Sequence, residues 1–378
     1  MRVVMTIQKY YPFVGGAERQ LQQLARRLRA QGVDVIIVTR HFAHLPTFEY
    51  VDQVPVYRLP APGPKALAAL SYVLSALRLI GKLRPDIVHA HEMLSPSTIA
   101  LLAKRLYGSR VIVKVLCGGK TGDIYKIKNR PLGGLRLRYL RDQVDAFIAI
   151  SQEIDQELDQ IQVPKTKRHA IANGVDTQHF APVSPDEKRR IRLEFGLDPD
   201  SPVVLYSGRL HPYKRVDLLL ESWTGVFSHY PTAQLLILGS GSEEAALRQR
   251  APAGVRFMGE VADVAPYLQA ADLCVMPSAR EGLSNSVLEA LSTGLPVVAT
   301  TAGGTPDVIR HLQEGYLIPP NDKVALQDAM LEMLGDAALR ARLAAQGRAR
   351  ILAEYSFETA VQRTLWLYQG MLEEGASR

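Results

Sequence analysis

The sequence predicts an α/β protein built from two doubly wound domains, each with a parallel sheet covered on both faces by helices. Continuous β-rich apolar runs alternate with amphipathic helical patterns, which is typical of strands buried on both faces. The alternation pauses after about residue 172 and starts again after residue 200. A chain of 378 residues is also too long for one ordinary core, which favours two domains.

The elements of the first half follow in order. The stretch MRVVMTIQ predicts a first strand, and AERQLQQLARRLRA predicts a helix because its leucines recur at helical spacing. Further strands are predicted at VDVIIVT, DIVHAH, RVIVKVLC and DAFIAIS. The apolar run ALAALSYVLSALRLI has about 15 residues and contains Arg78, so we expect it to be too short to span a bilayer.

The second half repeats the pattern, with strands predicted at VVLYSG, QLLILGSG, VRFMGE, DLCVMPS and PVVAT. Asn, Gly, Asp and Pro cluster in IANGVDTQHFAPVSPDE, which predicts a boundary between domains at 1–172 and 173–356. We expect the helix at about 357–378 to pack back on the first domain. A ligand is expected in the cleft where the carboxyl ends of both sets of strands face each other.

Charge is distributed unevenly along the chain. Residues 1–173 hold 26 Lys and Arg against 13 Asp and Glu, whereas residues 174–378 hold 19 against 25. Between 101 and 141 there are 11 basic residues, and Asp123 is the single acidic one. This field suits an anionic partner such as a membrane surface, a phosphorylated substrate or nucleic acid, and a solvated basic face is the alternative.

The two cysteines, Cys117 and Cys274, lie in separate apolar runs. This predicts buried thiols in a reducing compartment rather than a disulfide or a metal site. The N-terminus has too short an apolar run for a signal peptide, so the expected location is the cytoplasm.

The loop GRLHPYKR places two cations, Arg209 and Lys214, just before the predicted helix VDLLLESW. A guanidinium fork, an ammonium and a helix N-terminus together suit a diphosphate. Two solvated loop cations would be the simpler interpretation if this loop stood alone.

A second helix start lies in EGLSNSVLEA, where Ser284 or Asn285 can cap the helix and Ser286 belongs to its first turn. The backbone N–H groups there can bind an anion. Glu281 precedes the start, and Glu289 lies about 7 Å along the helix. With a diphosphate at the helix start, one carboxylate could accept from sugar hydroxyls and the other from ribose hydroxyls.

Each glutamate also has a simpler interpretation. Glu281 could be a turn residue that pairs with the adjacent Arg280, and Glu289 could be an ordinary surface residue of the helix.

In the first half, Gly15 and Gly16 separate a strand from a helix, where backbone can approach a phosphate closely, or where the chain simply turns. Neither this stretch nor GSGSEE contains G-x-G-x-x-G, the dinucleotide fingerprint.

His89 and His91 in DIVHAHEM lie on one face of a predicted strand, at its carboxyl end. A zinc site would need more ligands, and Glu92 alone is near, so no metal site is predicted. His91 is better placed to contact a reacting sugar, and His89 is interpreted as a core residue. The D-x-D at Asp198 and Asp200 precedes a strand, which predicts a turn rather than a metal–diphosphate site.

Taken in order, these stretches resemble the family-4 retaining glycosyltransferases of the GT-B fold. The resemblance rests on GGAE, DIVHAH, IANGVD, GRLHPYK, FMGEVADVAPYLQAADLCVMPS, the E-x7-E stretch and TTAGGTPDVI, and it covers nearly the whole chain. It implies Rossmann-like domains, no metal and no cofactor, with a nucleotide-diphosphate sugar as the donor. By this resemblance, Arg209, Lys214 and Gly16 would bind the diphosphate. Glu281 and His91 would contact the transferred sugar, and Glu289 would bind the ribose.

The resemblance further implies that the base rests near FMGEV and that the acceptor hydroxyl attacks from the leaving-group face, its proton passing to the phosphate. The chain departs from the family pattern at three places. Ser284-Asn285 replaces a commoner Gly-containing pair, Asp307 stands where Glu is frequent, and Arg215 stands where Gly is frequent.

The predicted function is therefore retaining transfer of a sugar from a UDP- or GDP-sugar to a hydroxyl of a sugar, lipid-linked or small-molecule acceptor. We expect peripheral contact with anionic membrane at the cytoplasmic face. An NAD-dependent oxidoreductase is a rival that lacks its fingerprint here. A non-catalytic sugar-nucleotide or nucleic-acid binding protein is another, but residues 101–141 contain only three tyrosines for stacking, so no nucleic acid partner is predicted.

Overall fold

The computed structural model describes residues 1–13 and 15–376, and its internal contacts divide the chain into two units. The first comprises Met1–Asn173 and the chain from Phe357 onward, and the second comprises Gly174–Ser356. Each has its own parallel sheet with helices on both faces.

The strands of the N-terminal unit are β1 (Arg2–Thr6), β2 (Asp34–Arg40), β3 (Phe48–Val51), β4 (Val54–Leu59), β5 (Ile87–His91), β6 (Arg110–Val115), β7 (Ala146–Ala149) and β8 (Arg168–Ala170). Its helices are α1 (Gly16–Ala30), α2 (Lys65–Leu83), α3 (Ser95–Tyr107), α4 (Asp123–Lys128), α5 (Gly133–Gln143) and α6 (Gln152–Gln160), joined by the C-terminal helix Phe357–Ala376. The predicted strands of this half are confirmed, and the short strands β3, β4 and β8 were not predicted.

Strand order in this sheet is β3-β4-β2-β1-β5-β6-β7-β8. All neighbours pair in parallel except β3 and β4, which form an antiparallel edge. The order reverses direction between β1 and β5, which are hydrogen-bonded neighbours. In such sheets ligands bind outside the carboxyl ends of the strands at this switch point.

The strands of the C-terminal unit are β9 (Val203–Ser207), β10 (Gln234–Leu238), β11 (Val255–Gly259), β12 (Leu273–Met276), β13 (Val297–Thr300) and β14 (Tyr316–Ile318). Its helices are α7 (Pro185–Glu194), α8 (Val216–His229), α9 (Glu244–Gln249), α10 (Ala265–Ala270), α11 (Asn285–Ser292), α12 (Thr305–Val308), α13 (Lys323–Gly335) and α14 (Ala337–Glu354). The C-terminal helix Phe357–Ala376, which belongs to the N-terminal unit, is α15.

The C-terminal sheet has the order β11-β10-β9-β12-β13-β14, and every neighbouring pair is parallel. This is the 3-2-1-4-5-6 arrangement of a doubly wound domain, with its switch point between β9 and β12. Four of the β9 residues are fully buried and Ser207 nearly so, as expected for a central strand covered on both faces. The predicted fold class is confirmed.

Helix α2 differs from its prediction. It has 19 residues rather than the 15 of the apolar run, because the flanking residues continue the helix to an αL residue at Arg84. The expectation that this run is too short to span a bilayer is therefore wrong: by length and composition Ala66–Leu83 could cross a membrane, and a third of that window is buried in the protein. Three leucines of α2 (Leu67, Leu70 and Leu74) are exposed, while Tyr72, Ala76 and Ile80 pack inward.

The core of the N-terminal unit is built from inward residues of β1, β2, β4 and β5 with one face each of α1 and α15. The helical spacing predicted for α1 is confirmed, since Leu21, Leu24, Ala25 and Leu28 are all buried. Tyr368 of α15 is fully buried in the same cluster as Met5 of β1. The C-terminal helix therefore belongs to the hydrophobic core of this unit.

Candidate functional site

Two loops of the C-terminal unit follow the strands at its switch point. The loop after β9 carries Arg209 and Lys214, and the loop after β12 carries Glu281 and leads into α11. Because β9 and β12 are adjacent and parallel, both loops leave the same edge of the sheet. The fold thus brings together two stretches that are about seventy residues apart in the sequence.

Lys214 and Glu281 form an ion pair at this edge. Lys214 Nζ lies 2.5 Å from Glu281 Oε1, and the side chains are 13% and 10% exposed. The loops are also joined through backbone, since the N–H of Ala279 donates to the carbonyl of Tyr213 at 2.8 Å. The alternative in which Glu281 pairs with Arg280 is wrong: the carboxylate is oriented by Lys214.

Glycines let the neighbouring loops approach Glu281 closely. Gly303 has a φ of +58°, and a Cβ there would collide with the carbonyl oxygen of Glu281. The N–H of Gly304 donates to the carbonyl of Gly282 at 2.7 Å. The TTAGG stretch therefore acts as a support for the glutamate loop, a role that its position in the sequence did not indicate.

The loop that carries Arg209 is supported in a similar way. The N–H of Leu210 donates to the carbonyl of Ser240 at 2.8 Å, and Tyr206 Oη donates to the carbonyl of Arg209 at 3.1 Å. Gly239 and Gly241 lie so close that a Cβ on either would collide with the Gly208 or Leu210 carbonyl. The glycines of GSGSEE therefore serve backbone packing.

The two cations differ in their surroundings. Lys214 is committed to Glu281, whereas the side chain of Arg209 is exposed and makes no ion pair with any residue that the structure describes. Arg215, next in the chain, has a φ of 54° and pairs with Asp217 at 3.0 Å. Its left-handed conformation explains why glycine suits that position, and its guanidinium is held by Asp217.

Helix α11 begins at Asn285 with Ser284 as its N-cap residue. The predicted side-chain cap is absent, because no described side chain accepts from the first turn at this N-cap. Ser284 is buried, and Asn285 and Ser286 form the first turn of the helix, whose backbone N–H groups precede the regular hydrogen-bonding pattern. Glu289 lies one helical turn further along, about 6 Å from Asn285 along the axis.

In the N-terminal unit the loops after β1 and β5 flank the switch point. Gly15 is the N-cap of α1 and Gly16 its first residue, again without a side-chain cap. His89 and His91 are confirmed on one face of β5, with ring centroids 4.3 Å apart. The roles predicted for Gly16 and His91 stay predictions.

Both histidines are buried. His89 Nδ1 lies 2.7 Å from Tyr368 Oη, while the Nε2 atoms of both rings have no hydrogen-bond partner among the described residues. Burial, followed by the nearby Lys114, lowers the pKa of His89 to about 3. Burial, followed by His89 and Lys114, likewise holds the pKa of His91 well below its ordinary value. Both rings are neutral at pH 7, and an unpartnered buried nitrogen on His91 is suited to a ligand hydroxyl.

Lys114 of β6 pairs in register with His91 and was not singled out from the sequence. Its Nζ donates to Asn173 Oδ1 at 3.1 Å, and it makes no ion pair with any described residue. Burial lowers the pKa of Lys114 to about 8. The sequence alone does not show that a lysine within an apolar run is buried without a counter-ion.

Glu92 follows β5 in an unusual conformation, with a φ of 110°. Burial, with smaller contributions from Asp123 and Glu18, raises the pKa of Glu92 to about 7, and Lys126 and a hydrogen bond from Gln8 act in the opposite direction. Strained, partly buried acids of this kind are frequent at functional sites. Glu92 is therefore a candidate functional residue at the carboxyl edge of this sheet. The sequence had suggested it only as a possible metal ligand.

The cysteines and the D-x-D stretch can be compared with their predictions. Cys274 is buried as predicted, but Cys117 is only half-buried because it lies in the loop after β6. The D-x-D stretch is a turn, since Asp198 Oδ1 accepts from the N–H of Asp200 at 3.0 Å. No group of three or more potential metal ligands occurs among the residues that the structure describes.

Two family models match the two halves of the chain. Residues 14–179 match the family model described as Glycosyltransferase Family 4, and residues 201–336 match the model described as Glycosyl transferases group 1. The chain belongs to the family-4 glycosyltransferases. The GT-B fold class is confirmed together with the family.

Two relatives and one solved structure are similar to this chain. The chain is 34% identical over 239 residues, 60% of its length and 62% of the relative's, to a GDP-mannose-dependent monoacylated α-(1-6)-phosphatidylinositol monomannoside mannosyltransferase of Corynebacterium glutamicum. It is 23% identical over 96% of both chains to N-acetyl-α-D-glucosaminyl L-malate synthase of Bacillus anthracis. The structure of the HepE protein of Anabaena in complex with UDP superposes with a TM-score of 0.82, at 20% identity over 98% of this chain and all of that one.

Proposed function

We propose that this glycosyltransferase moves a hexose from a nucleotide-diphosphate sugar to an acceptor hydroxyl with retention of configuration and without a metal ion. The observation that carries the proposal is the Lys214–Glu281 pair at the switch point of the C-terminal unit, beside the start of α11. A charged lysine, a free arginine and helix N–H groups suit a diphosphate, and an oriented carboxylate suits sugar hydroxyls.

The diphosphate is assigned to Arg209, Lys214 and the first turn of α11, formed by Ser284, Asn285 and Ser286. These groups would stabilise the charge that develops on the leaving phosphate, usually the largest contribution in such catalysis. The exposed Arg209 has the freedom to adopt a bidentate geometry. Side-chain cations would supply the charge neutralisation that a metal ion would otherwise give.

Glu281 is assigned to the transferred sugar and Glu289 to the ribose. Lys214 Nζ donates to Glu281 Oε1 and holds the carboxylate in place, so its oxygens are oriented as hydrogen-bond acceptors. A carboxylate already bonded to an ammonium is a poor nucleophile, which favours binding over covalent catalysis for Glu281. The acceptor hydroxyl would attack from the leaving-group face and pass its proton to the departing phosphate.

The acceptor side is assigned to the N-terminal unit, with His91 offering its unpartnered nitrogen to a sugar hydroxyl. The basic character of residues 1–173 suits an anionic or lipid-linked acceptor at the cytoplasmic face of a membrane. Two relatives support a nucleotide donor of either base: one is named as GDP-mannose-dependent and the other was solved with UDP. We therefore retain UDP- and GDP-sugars as the donor candidates.

The test is turnover with a panel of UDP-, GDP- and ADP-sugars in the presence of a chelator. We expect slow release of nucleotide diphosphate from one donor, and an NMR spectrum of the first sugar product that shows the donor's anomeric configuration. Activity that requires added metal would contradict metal independence, and an inverted anomer would contradict retention. Binding of NAD in place of every sugar nucleotide would contradict the proposed function as a whole.

A further inference from the structure

Helices α4 and α5 expose large apolar side chains within residues 125–139. These are Tyr125, Leu132, Leu135 and Tyr139, and Leu132 is 75% exposed. Single exposed apolar residues are normal on protein surfaces, but a concentration of large ones marks an interaction site. We call residues 120–139 the α4–α5 surface.

Cations surround these apolar residues. Lys120, Lys126, Lys128, Arg130 and Arg138 are all exposed on the α4–α5 surface. The single acidic residue of the segment, Asp123, is buried and accepts a hydrogen bond from the N–H of Met93 at 2.8 Å. Lys120, Lys128 and Arg130 form no ion pair with any residue in the described part of the chain. The surface is thus apolar and positive, with no exposed negative charge.

The backbone holds Leu132 outward. Leu132 has a φ of 59°, which is a left-handed conformation that is unfavourable for leucine. Because the side chain is exposed, its burial does not offset this conformational cost. Gly133 follows, and a Cβ there would collide with the carbonyl oxygen of Ile127. The tight connection between α4 and α5 therefore presents a leucine to the surroundings at a conformational cost.

The same surface is fixed to the loop that follows His91. Arg136 of α5 donates to the carbonyl oxygens of Met93 at 3.1 Å and Leu94 at 2.9 Å. Asp123 of α4 binds the N–H of Met93 on the same loop. A partner bound at the α4–α5 surface would therefore lie beside the carboxyl edge of the sheet, next to His91 and Glu92.

We propose that the α4–α5 surface docks on an anionic lipid bilayer, with the two leucines and two tyrosines in the interface and the cations on lipid headgroups. A diffuse negative surface complements a patch without exposed acids, and tyrosine is suited to the membrane–water boundary. The inference rests on the proposed function, because docking here would bring a lipid-linked acceptor hydroxyl to the edge that carries the acceptor-side residues.

The test is co-sedimentation with vesicles of phosphatidylglycerol and phosphatidylcholine, and with phosphatidylcholine alone, at low and high salt. We expect binding to the anionic vesicles at low salt. The double variant Leu132→Ser/Leu135→Ser should bind about tenfold more weakly, through lost apolar burial. The variant Lys128→Gln/Arg130→Gln should bind about tenfold more weakly and with less salt dependence.

Two controls locate the effect. Leu193→Ser changes a leucine of α7 that is 62% exposed, and it should bind like the wild type. Leu67→Ser/Leu70→Ser/Leu74→Ser removes three exposed leucines of the N-terminal unit from α2 and should retain most of the binding. Loss in the α2 variant alone, or equal binding by Leu132→Ser/Leu135→Ser and wild type, would overturn the proposal.

Failure of this inference and of the proposed function can be told apart by measuring donor-induced thermal stabilisation on the same variants. We expect Leu132→Ser/Leu135→Ser to keep the wild-type donor response and to lose vesicle binding. Absent vesicle binding with an intact donor response would reject the membrane surface alone, and the reverse would reject the donor site alone. Self-association of the wild type that Leu132→Ser/Leu135→Ser abolishes, without vesicle binding, would reassign the surface to a second copy of the chain.

Discussion

Lys214 and Glu281 are 67 residues apart in the sequence, yet their charged atoms lie 2.5 Å apart at the carboxyl edge of the C-terminal sheet. Both side chains are almost completely buried, so neither charge is well solvated without the other. The pair therefore fixes the geometry of both loops at the switch point, and its stability can be measured independently of any substrate.

Separating this pair should destabilise the protein. Lys214→Met and Glu281→Gln each leave a mostly buried charge without its partner, which should cost about 3 kcal/mol of unfolding free energy. The double variant should lose much less than the sum of the single variants. Urea unfolding followed by the fluorescence of Trp223, which is buried in the same unit, measures all four proteins. Additive losses would contradict a coupled pair.

Gly303→Ala should impair the glutamate loop. Position 303 has a positive φ, and the new methyl group would collide with the Glu281 carbonyl. Gly294→Ala is the matched control, because its φ of +70° carries similar strain while its Cβ would meet only Pro182 at 3.7 Å. We expect about 1 kcal/mol of destabilisation for Gly294→Ala and clearly more for Gly303→Ala, with weaker donor binding for Gly303→Ala only. Equal behaviour would show that Gly303 is needed for its conformation alone.

His89 should make the N-terminal unit sensitive to acid. Its pKa is about 3 in the folded state, below the ordinary value of 6.5, so the unfolded chain binds more protons between these values. Stability from neutral His89 is present above about pH 6.5 and is lost as the pH falls, by up to about 1.4 kcal/mol per pH unit. Urea midpoints between pH 7 and pH 4 should therefore fall more steeply for the wild type than for His89→Phe. Parallel profiles would reject a buried neutral His89.

Glu92 should have the opposite pH dependence. Its folded pKa of about 7 lies above the ordinary value of 4.5, so its contribution to stability is present below about pH 4.5 and is lost as the pH rises toward 7. Burial is the largest cause of this raised pKa, Asp123 and Glu18 raise it further, and Lys126 and a hydrogen bond from Gln8 lower it. Glu92→Gln should be more stable than the wild type at pH 8 and close to it at pH 4.5. Lower stability of Glu92→Gln at pH 8 would indicate that the ionised carboxylate is already well compensated.

The sequence predicted the strands because each is a continuous apolar run, and a buried parallel strand requires one. The helix faces followed for the same reason, as Leu21 and Leu28 illustrate. It was less informative where polar or short segments form strands: β3 and β4 make an edge hairpin, and edge strands need no apolar run. The length of α2 was underestimated because a helix continues past its apolar core until a residue such as Arg84 ends it.

The sequence predicted which residues belong to the candidate site, but it did not predict the contacts that these residues make. Arg209, Lys214, Glu281 and Glu289 could be chosen because cations and carboxylates near helix starts suit phosphates and hydroxyls. The partner of Glu281 could not be predicted, since Arg280 is next to it in the chain and Lys214 meets it only through the pairing of β9 with β12. The burial of Lys114 was also hidden, because sequence spacing does not show whether a lysine on a strand has a counter-ion.

The central claim is that the C-terminal unit binds a nucleotide-diphosphate sugar through Arg209 and the pair beside it. The most direct measurement is thermal stabilisation by UDP- and GDP-sugars, without metal, of wild type, Arg209→Ala and the control Arg189→Ala, whose arginine pairs with Asp200 at an exposed site. At a hundred times its dissociation constant, one donor should add about 2.7 kcal/mol to the wild type and to Arg189→Ala, and much less to Arg209→Ala. Equal stabilisation of all three proteins, or of none by any sugar nucleotide, would contradict the claim.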